Sequence, residues 1–230
     1  SLNRPEGQRR TGAVLFEDNN LQSVLSGDVS TLLQTVFGAG LQKVGTLAPG
    51  NLAQIDQQVR SKYDASSIIR HFHCHMGWDR QSLLQMTLST KTDIGDQVFA
   101  NLSREDAFLF LNGCNSHGTY PSGQVADPPR QTWAEFFIDT VSCDSLIAAT
   151  MPLHDSFAFP FSEAFYNCLV ANGQNHTLFD AFVRARSSQL DNGITQALIY
   201  RHFGAPSKSP AGVLSLGKND ATESSDFGEA

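Results

Sequence analysis

The sequence predicts an α/β layered domain built on a mostly parallel central sheet with helices on both faces. Residues 107–111 (AFLFL) form a short uninterrupted apolar run, which suits a strand buried on both faces. Segments with helical spacing separate such runs, as in Val29, Leu32, Leu33, Val36 and Phe37. Strand and helix signals alternate along the chain, which calls for right-handed crossovers between parallel strands.

Residues 13–16 are a short apolar strand candidate, and Asp28 is placed to cap the helix that follows, with Gly38 and Gly40 to stop it. Residues 44–47 read as a strand, Pro49-Gly50 as a turn, and Asn51 as the cap of a helix carrying Leu52, Ile55 and Val59. Residues 66–74 (SSIIRHFHC) have strand character from Ile68, Ile69 and Phe72, with Gly77 as the exit turn. Residues 83–88 alternate weakly, as in a small hairpin, and a polar loop runs from there to Asp106.

After the 107–111 strand, residues 115–130 are rich in Gly, Pro and Ser, a length of irregular chain that is often functional or mobile. Trp133, Phe136, Phe137 and Val141 mark an amphipathic helix, and residues 145–150 (SLIAAT) a further strand. Phe157, Phe161, Phe165, Cys168 and Leu169 form one apolar stripe of a helix ended by Asn172-Gly173. Residues 178–190 and 194–203 read as two more helices. No internal repeat is visible.

The length of 230 residues fits one domain large enough to bury a core without disulfide staples. Its division is expected as a linker or leftover tag over 1–10, the folded domain over 11–216, and an acidic, flexible tail over 217–230 (one lysine against Asp220, Glu223, Asp226 and Glu229). With a net charge of −7 and no extended patch among 16 Lys and Arg residues, nucleic acid is excluded as a main partner. No apolar run approaches the roughly 18 residues of a membrane span, and no signal-peptide pattern opens the chain. The four cysteines show no CxxC pairing, so reduced thiols in the cytoplasm are expected.

The chemistry-bearing residues stand at strand ends. Cys114 follows the 107–111 strand across Asn112-Gly113, and His75 follows residues 66–74. Open α/β sheets bind ligands just past the carboxyl ends of their strands. A thiol needs a base to become a thiolate, and an imidazole beside it can supply one, so Cys114 is the expected nucleophile and His75 its base. Cys74, Cys143 and Cys168 lie inside apolar elements and read as packing. A rival reading uses His71, His73 and His75, which alternate along one strand, with His117, His154 and Asp155 as further metal ligands. No second short-spaced ligand pair such as HxxxH or CxxC appears, which weakens a metal site. His117 is either a site-lining or a solvated loop histidine, and Asp155 either a helix cap or a substrate-binding carboxylate.

Several blocks in order resemble the CHAT domain, a branch of the caspase-like and separase-like cysteine proteases. IIRHFHCHMG resembles the family's histidine strand and FLFLNGCNSHG its cysteine strand. IAATMPLHDSFAFPFSEAFYNCLVANG, LFDAFVRAR and YRHFGAP resemble the segments that follow. The resemblance implies a caspase-like three-layer fold, a His75–Cys114 dyad, peptide-bond hydrolysis without metal or organic cofactor, and a protein substrate. It implies an oxyanion hole from the backbone N–H of Cys114 with that of Met76 or Gly77. Met76 stands where the family carries glycine, so this part of the site departs from the pattern. The matching acidic-loop residue, Asp155, implies a preference for Arg or Lys before the cut. A role as the effector of a defence or cell-death system, under a regulatory domain or sensor subunit, is implied as well. The alternative within the same family is an inactive interaction domain.

Overall fold

The computed structural model describes residues 12–18, 21, 28–44, 52–63, 69–78, 83–88, 92–100, 108–113, 116, 131–151, 153, 155–171 and 177–204, with the side chains of 52, 55, 92 and 155 excepted. Six strands form the main sheet in the order β2-β1-β3-β7-β8-β9: β1 (Ala13–Glu17), β2 (Leu41–Lys43), β3 (Ile69–His73), β7 (Phe108–Leu111), β8 (Ser145–Ala149) and β9 (Tyr200–Gly204). All neighbours pair in parallel except β9, which runs antiparallel to β8 at the edge. A second, antiparallel sheet joins β4 (His75–Trp78), β5 (Leu84–Leu88) and β6 (Thr92–Gly95).

Alternate residues of the buried strands face opposite layers, as the two-residue strand period requires. Val14, Phe16, Phe72, Leu109, Leu111 and Leu146 pack on one side with α2 (Leu52–Tyr63), α3 (Trp133–Glu135, continued by a π turn at Phe136–Thr140) and the small sheet. Ala13, Leu15, Ile69, Phe110 and Ile147 pack on the other with α1 (Val29–Phe37), α4 (Asp155–Val170) and α5 (Leu178–Asp191). The mostly parallel sheet with helices on both faces stands as the sequence predicts.

Helix starts carry their expected chemistry. The Asp28 carboxylate accepts from the Ser30 N–H at 2.8 Å and caps α1. Thr132 and Glu135 form a reciprocal capping box on α3, as do Thr177 and Asp180 on α5. The Phe stripe of α4 is core where it faces the sheet, with Phe161, Phe165 and Leu169 buried.

Four expectations are corrected. The strand expected at 44–47 does not include Val44, and its residues 45–47 lie outside the described ones; Leu41–Lys43 instead forms an edge strand, where half-exposed side chains need no apolar run to announce pairing. The polar stretch before Asp106 contains β6, whose Asp93 and Ile94 pair with Thr87 and Met86. The helix expected over 194–203 is a 3-10 turn at Thr195–Ile199 followed by strand β9. Its last residue, Gly204, has φ +92°, and a Cβ there would lie 2.0 Å from the Asp144 carbonyl oxygen. The histidine strand, finally, does not continue through His75: the chain bends at Cys74 and enters the second sheet. The Pro49-Gly50 turn, the Asn51 cap, the Asn172-Gly173 stop and the proposed terminal segments 1–10 and 217–230 lie outside the described residues.

Candidate active site

The parallel ladder carries β1, β3 and β7 to one edge with their carboxyl ends together. Glu17 pairs with His73 across β1 and β3, and Phe72 pairs with Leu111 across β3 and β7. The ladder continues one residue further, where the Asn112 N–H donates to the Phe72 carbonyl at 2.8 Å. Beyond that point β3 gives way to β4, and β7 to Gly113.

Gly113 is where the two chemistry-bearing motifs touch. A Cβ built on it would sit 2.5 Å from the Cys74 carbonyl oxygen and 2.8 Å from Cγ of Met76, distances no side chain tolerates. Glycine is needed here for close approach of backbone to backbone. Cys74 and Met76 flank His75, and Gly113 precedes Cys114 in sequence, so the contact sets the histidine junction against the residue before Cys114. His75 is exposed at the first position of β4, opposite Thr87. Met76 is buried, and Gly77 lies within β4 with open space where a Cβ would be. Cys114 and His117 lie outside the described residues. Asp155 opens α4; its side chain also lies outside them. Ala158, one helical turn on, bonds to Asn112 at 3.1 Å, which places the start of α4 at this same edge.

Beneath the edge is a buried polar cluster that motif reading missed. Asn112, 2% exposed, accepts from Tyr200 Oη at 2.6 Å through Oδ1. Its Nδ2 donates to Ser162 Oγ at 2.9 Å and lies 3.3 Å from Nδ1 of His73. Ser116, two residues past Cys114, accepts from the Ala149 N–H at 2.9 Å and donates to the Leu111 carbonyl at 3.1 Å. Leaving any such buried group unpaired costs about 1–3 kcal/mol, so the partners hold one another. The only signal in the sequence was their type, since Asn and Ser in this stretch read equally well as turn residues.

The electrostatics differ from group to group. Burial first, then Asp28 and Asp18 against the opposing Lys43, push the Glu17 carboxyl up to about 7. Burial, helped by His73, holds His71 well below the ordinary histidine range. Burial pushes the Cys143 thiol up to about 12 and the Cys168 thiol above its usual value. Both are poor nucleophiles at neutral pH, as packing cysteines should be.

The three histidines do not form the shared face that a metal would need. His71 is fully buried with Nδ1 on Tyr166 Oη at 2.8 Å, and His75 has left the strand that carries the other two. Among the described residues, no three metal-ligating side chains converge. His154, the other ligand candidate, lies outside them. No helix among the described residues is long and apolar enough to cross a membrane.

No protein-family model matches the chain, and no curated protein sequence does. Solved structures match in fold. Gingipain R (RgpB), an Arg-specific cysteine proteinase, has a TM-score of 0.53 over 86% of this chain and 46% of its own, at 14% identity. The complex of Porphyromonas gingivalis RgpB pro- and mature domains gives 0.52 over 85% and 47%, at 11% identity. The Saccharomyces cerevisiae separase–securin complex gives 0.52 over 86% and 12%, at 13% identity. The chain thus spans about half the length of the gingipain chains it matches. The shared feature is the fold, a caspase-like α/β architecture with a mostly parallel central sheet.

Proposed function

We propose that this chain is a caspase-like cysteine endopeptidase working through His75 and Cys114. The observation that carries the reading is the contact of Gly113 with Cys74 and Met76, which sets the histidine and cysteine motifs together at the carboxyl edge of the sheet. A fold neighbour named as a cysteine proteinase, gingipain R, supports it. In the reaction His75 takes the Cys114 thiol proton, and the thiolate adds to the scissile carbonyl carbon, forming a C–S bond and an oxyanion. The imidazolium then protonates the amine nitrogen as the C–N bond breaks, leaving a thioester. Water, deprotonated by His75, releases the acid and restores the thiol. The N–H of Cys114, with that of Met76 or Gly77, serves the oxyanion.

Asp155 is proposed to pair with a basic side chain before the cut, Arg above Lys for its planar fork. The Arg specificity named for gingipain R agrees with this assignment. A protein substrate, control by a regulatory domain or sensor subunit, and effector work in defence or cell death complete the proposal. Hydrolysis of arginyl, leucyl and aspartyl peptides by wild type, Cys114→Ala and Asp155→Ala tests it. Arginine preference is expected, lost in Asp155→Ala, with no turnover in Cys114→Ala. Turnover by Cys114→Ala, or a leucine preference in wild type, would defeat the reading.

A further inference from the structure

We propose that Asn112 is a positioning residue, holding the Cys114 turn in register with the His75 junction, and that Tyr200, Ser162 and His73 act through it. This rests on the peptidase reading above. Asn112 stands two residues before Cys114, and its carboxamide joins four elements: β3 through His73, β7 through its own backbone, α4 through Ala158 and Ser162, and β9 through Tyr200. The orientation of the amide follows from its partners. The Ala158 carbonyl can only accept, so the group facing it is the NH2. Ser162 Oγ already donates to that same carbonyl at 2.8 Å, so it accepts from Asn112. Nδ1 of His73 lies 3.3 Å from the same nitrogen, the longest of its three contacts, while the two amide hydrogens go to Ala158 and Ser162.

A carboxamide bonded through both its oxygen and its nitrogen resists sliding as well as separation, which an apolar side chain of equal size would not. That restraint falls next to the contact of Gly113. Gly113 has no side chain, and it must stay pressed on Cys74 and Met76. Among the described residues, the next side chain bonded to the sheet is Ser116. Tyr200 is itself fixed from one side, its ring stacked on Phe161 at 3.9 Å. A donor held that firmly dictates where the Asn112 oxygen sits.

The test uses the full chain and reads three quantities: kcat and KM on an arginyl peptide amide, the pH midpoint of Cys114 alkylation by iodoacetamide, and Tm. Titratable groups at this edge are His73 and His75 on β3 and β4, Glu17 and Asp18 at the end of β1, and Tyr200 on β9, and all stay in place in the Asn112 variant. In Asn112→Leu, kcat should fall about 10²-fold with KM unchanged, the loss expected for a misplacement near 1 Å. The alkylation midpoint should rise toward about 8.5, the value of a free thiol. Tyr200→Phe should move both in the same direction by less. The double variant should be no worse than Asn112→Leu, because Tyr200 acts through the residue already removed. A folded Asn112→Leu with wild-type kcat and alkylation midpoint overturns the proposal. If Asn112→Leu does not fold, Tyr200→Phe decides by the same readouts, wild-type values overturning it. If wild type hydrolyses no peptide, or Cys114→Ala still does, the peptidase reading fails, and the alkylation midpoint still decides the role of Asn112.

Discussion

Two regions of the molecule are held together by different physics. The layer under α2 and α3 is a lattice of rings: Phe72 stacks on Phe16 at 4.4 Å and meets Phe99 and Phe137 at 6.0 and 5.5 Å, with Trp133 closing the group. The carboxyl edge beneath Gly113 is held by directed hydrogen bonds among Asn112, Tyr200 and Ser162, and by those of Ser116 to the Leu111 and Ala149 backbone. Apolar contact is strong in sum but indifferent to small slides, whereas a hydrogen bond weakens steeply with angle. The difference teaches a division of labour: the ring lattice supplies stability, and the polar edge supplies position.

The comparison breaks first at the lattice. Phe137→Ala, at a site with no exposed surface, should cost about 3–5 kcal/mol and lower Tm sharply in a thermal melt. A loss under about 1 kcal/mol would show that the lattice is not the stabilising region. Next is the contact point. Gly113→Ala forces a Cβ against the Cys74 carbonyl and should cost about 1–3 kcal/mol as overpacking. Its loss of peptide turnover, about 10²-fold, should exceed what so modest a destabilisation explains. Wild-type turnover in a folded Gly113→Ala would sever the edge from position. A smaller effect is expected for Leu109→Met, a volume-conserving change in the core, with under about 1.5 kcal/mol lost and turnover kept.

The smallest expected effect is on pH dependence. Glu17 binds its proton more tightly folded than unfolded, so stability falls as pH rises from the ordinary carboxylate value of 4.5 to about 7. His71 is the opposite case. Its proton is held less tightly when folded, so its contribution is present above pH 6.5 and lost as pH falls below it. The two oppose each other between 4.5 and 6.5. Glu17→Gln should therefore gain Tm relative to wild type at pH 8 compared with pH 4.5, and its acid destabilisation should be steeper. A difference in Tm that is the same at both pH values would contradict this.

What was legible in the sequence follows the same division. Helix α1 could be read from its 3.6-residue period and Asp28, and β7 from five apolar residues in a row, because burial writes itself as hydrophobicity. Strand β9 could not. Leu198, Ile199, Tyr200 and Phe203 satisfy a helical stripe as well as an edge strand, and only pairing with β8 decides. The bend at Cys74 has no marker either, since neither glycine nor proline stands there. Of the candidate site, the bend at Gly113 was legible from Asn112-Gly113, and His75 and Cys114 stand beside it as candidates by residue type. The network around Asn112 was not, because its partners lie 39 to 88 positions away and meet only through topology.

The central claim is that one thiol, Cys114, is activated by His75 while the other cysteines serve packing. A peptidyl ketone carrying arginine and a thiol-reactive leaving group tests it most directly, with the adduct located by peptide mass mapping. The expected result is a single adduct at Cys114, absent in His75→Ala and undiminished in Cys143→Ala, whose thiol is buried and pushed up to about 12. Labelling at Cys143 or Cys168, or labelling of Cys114 at the wild-type rate in His75→Ala, would contradict it.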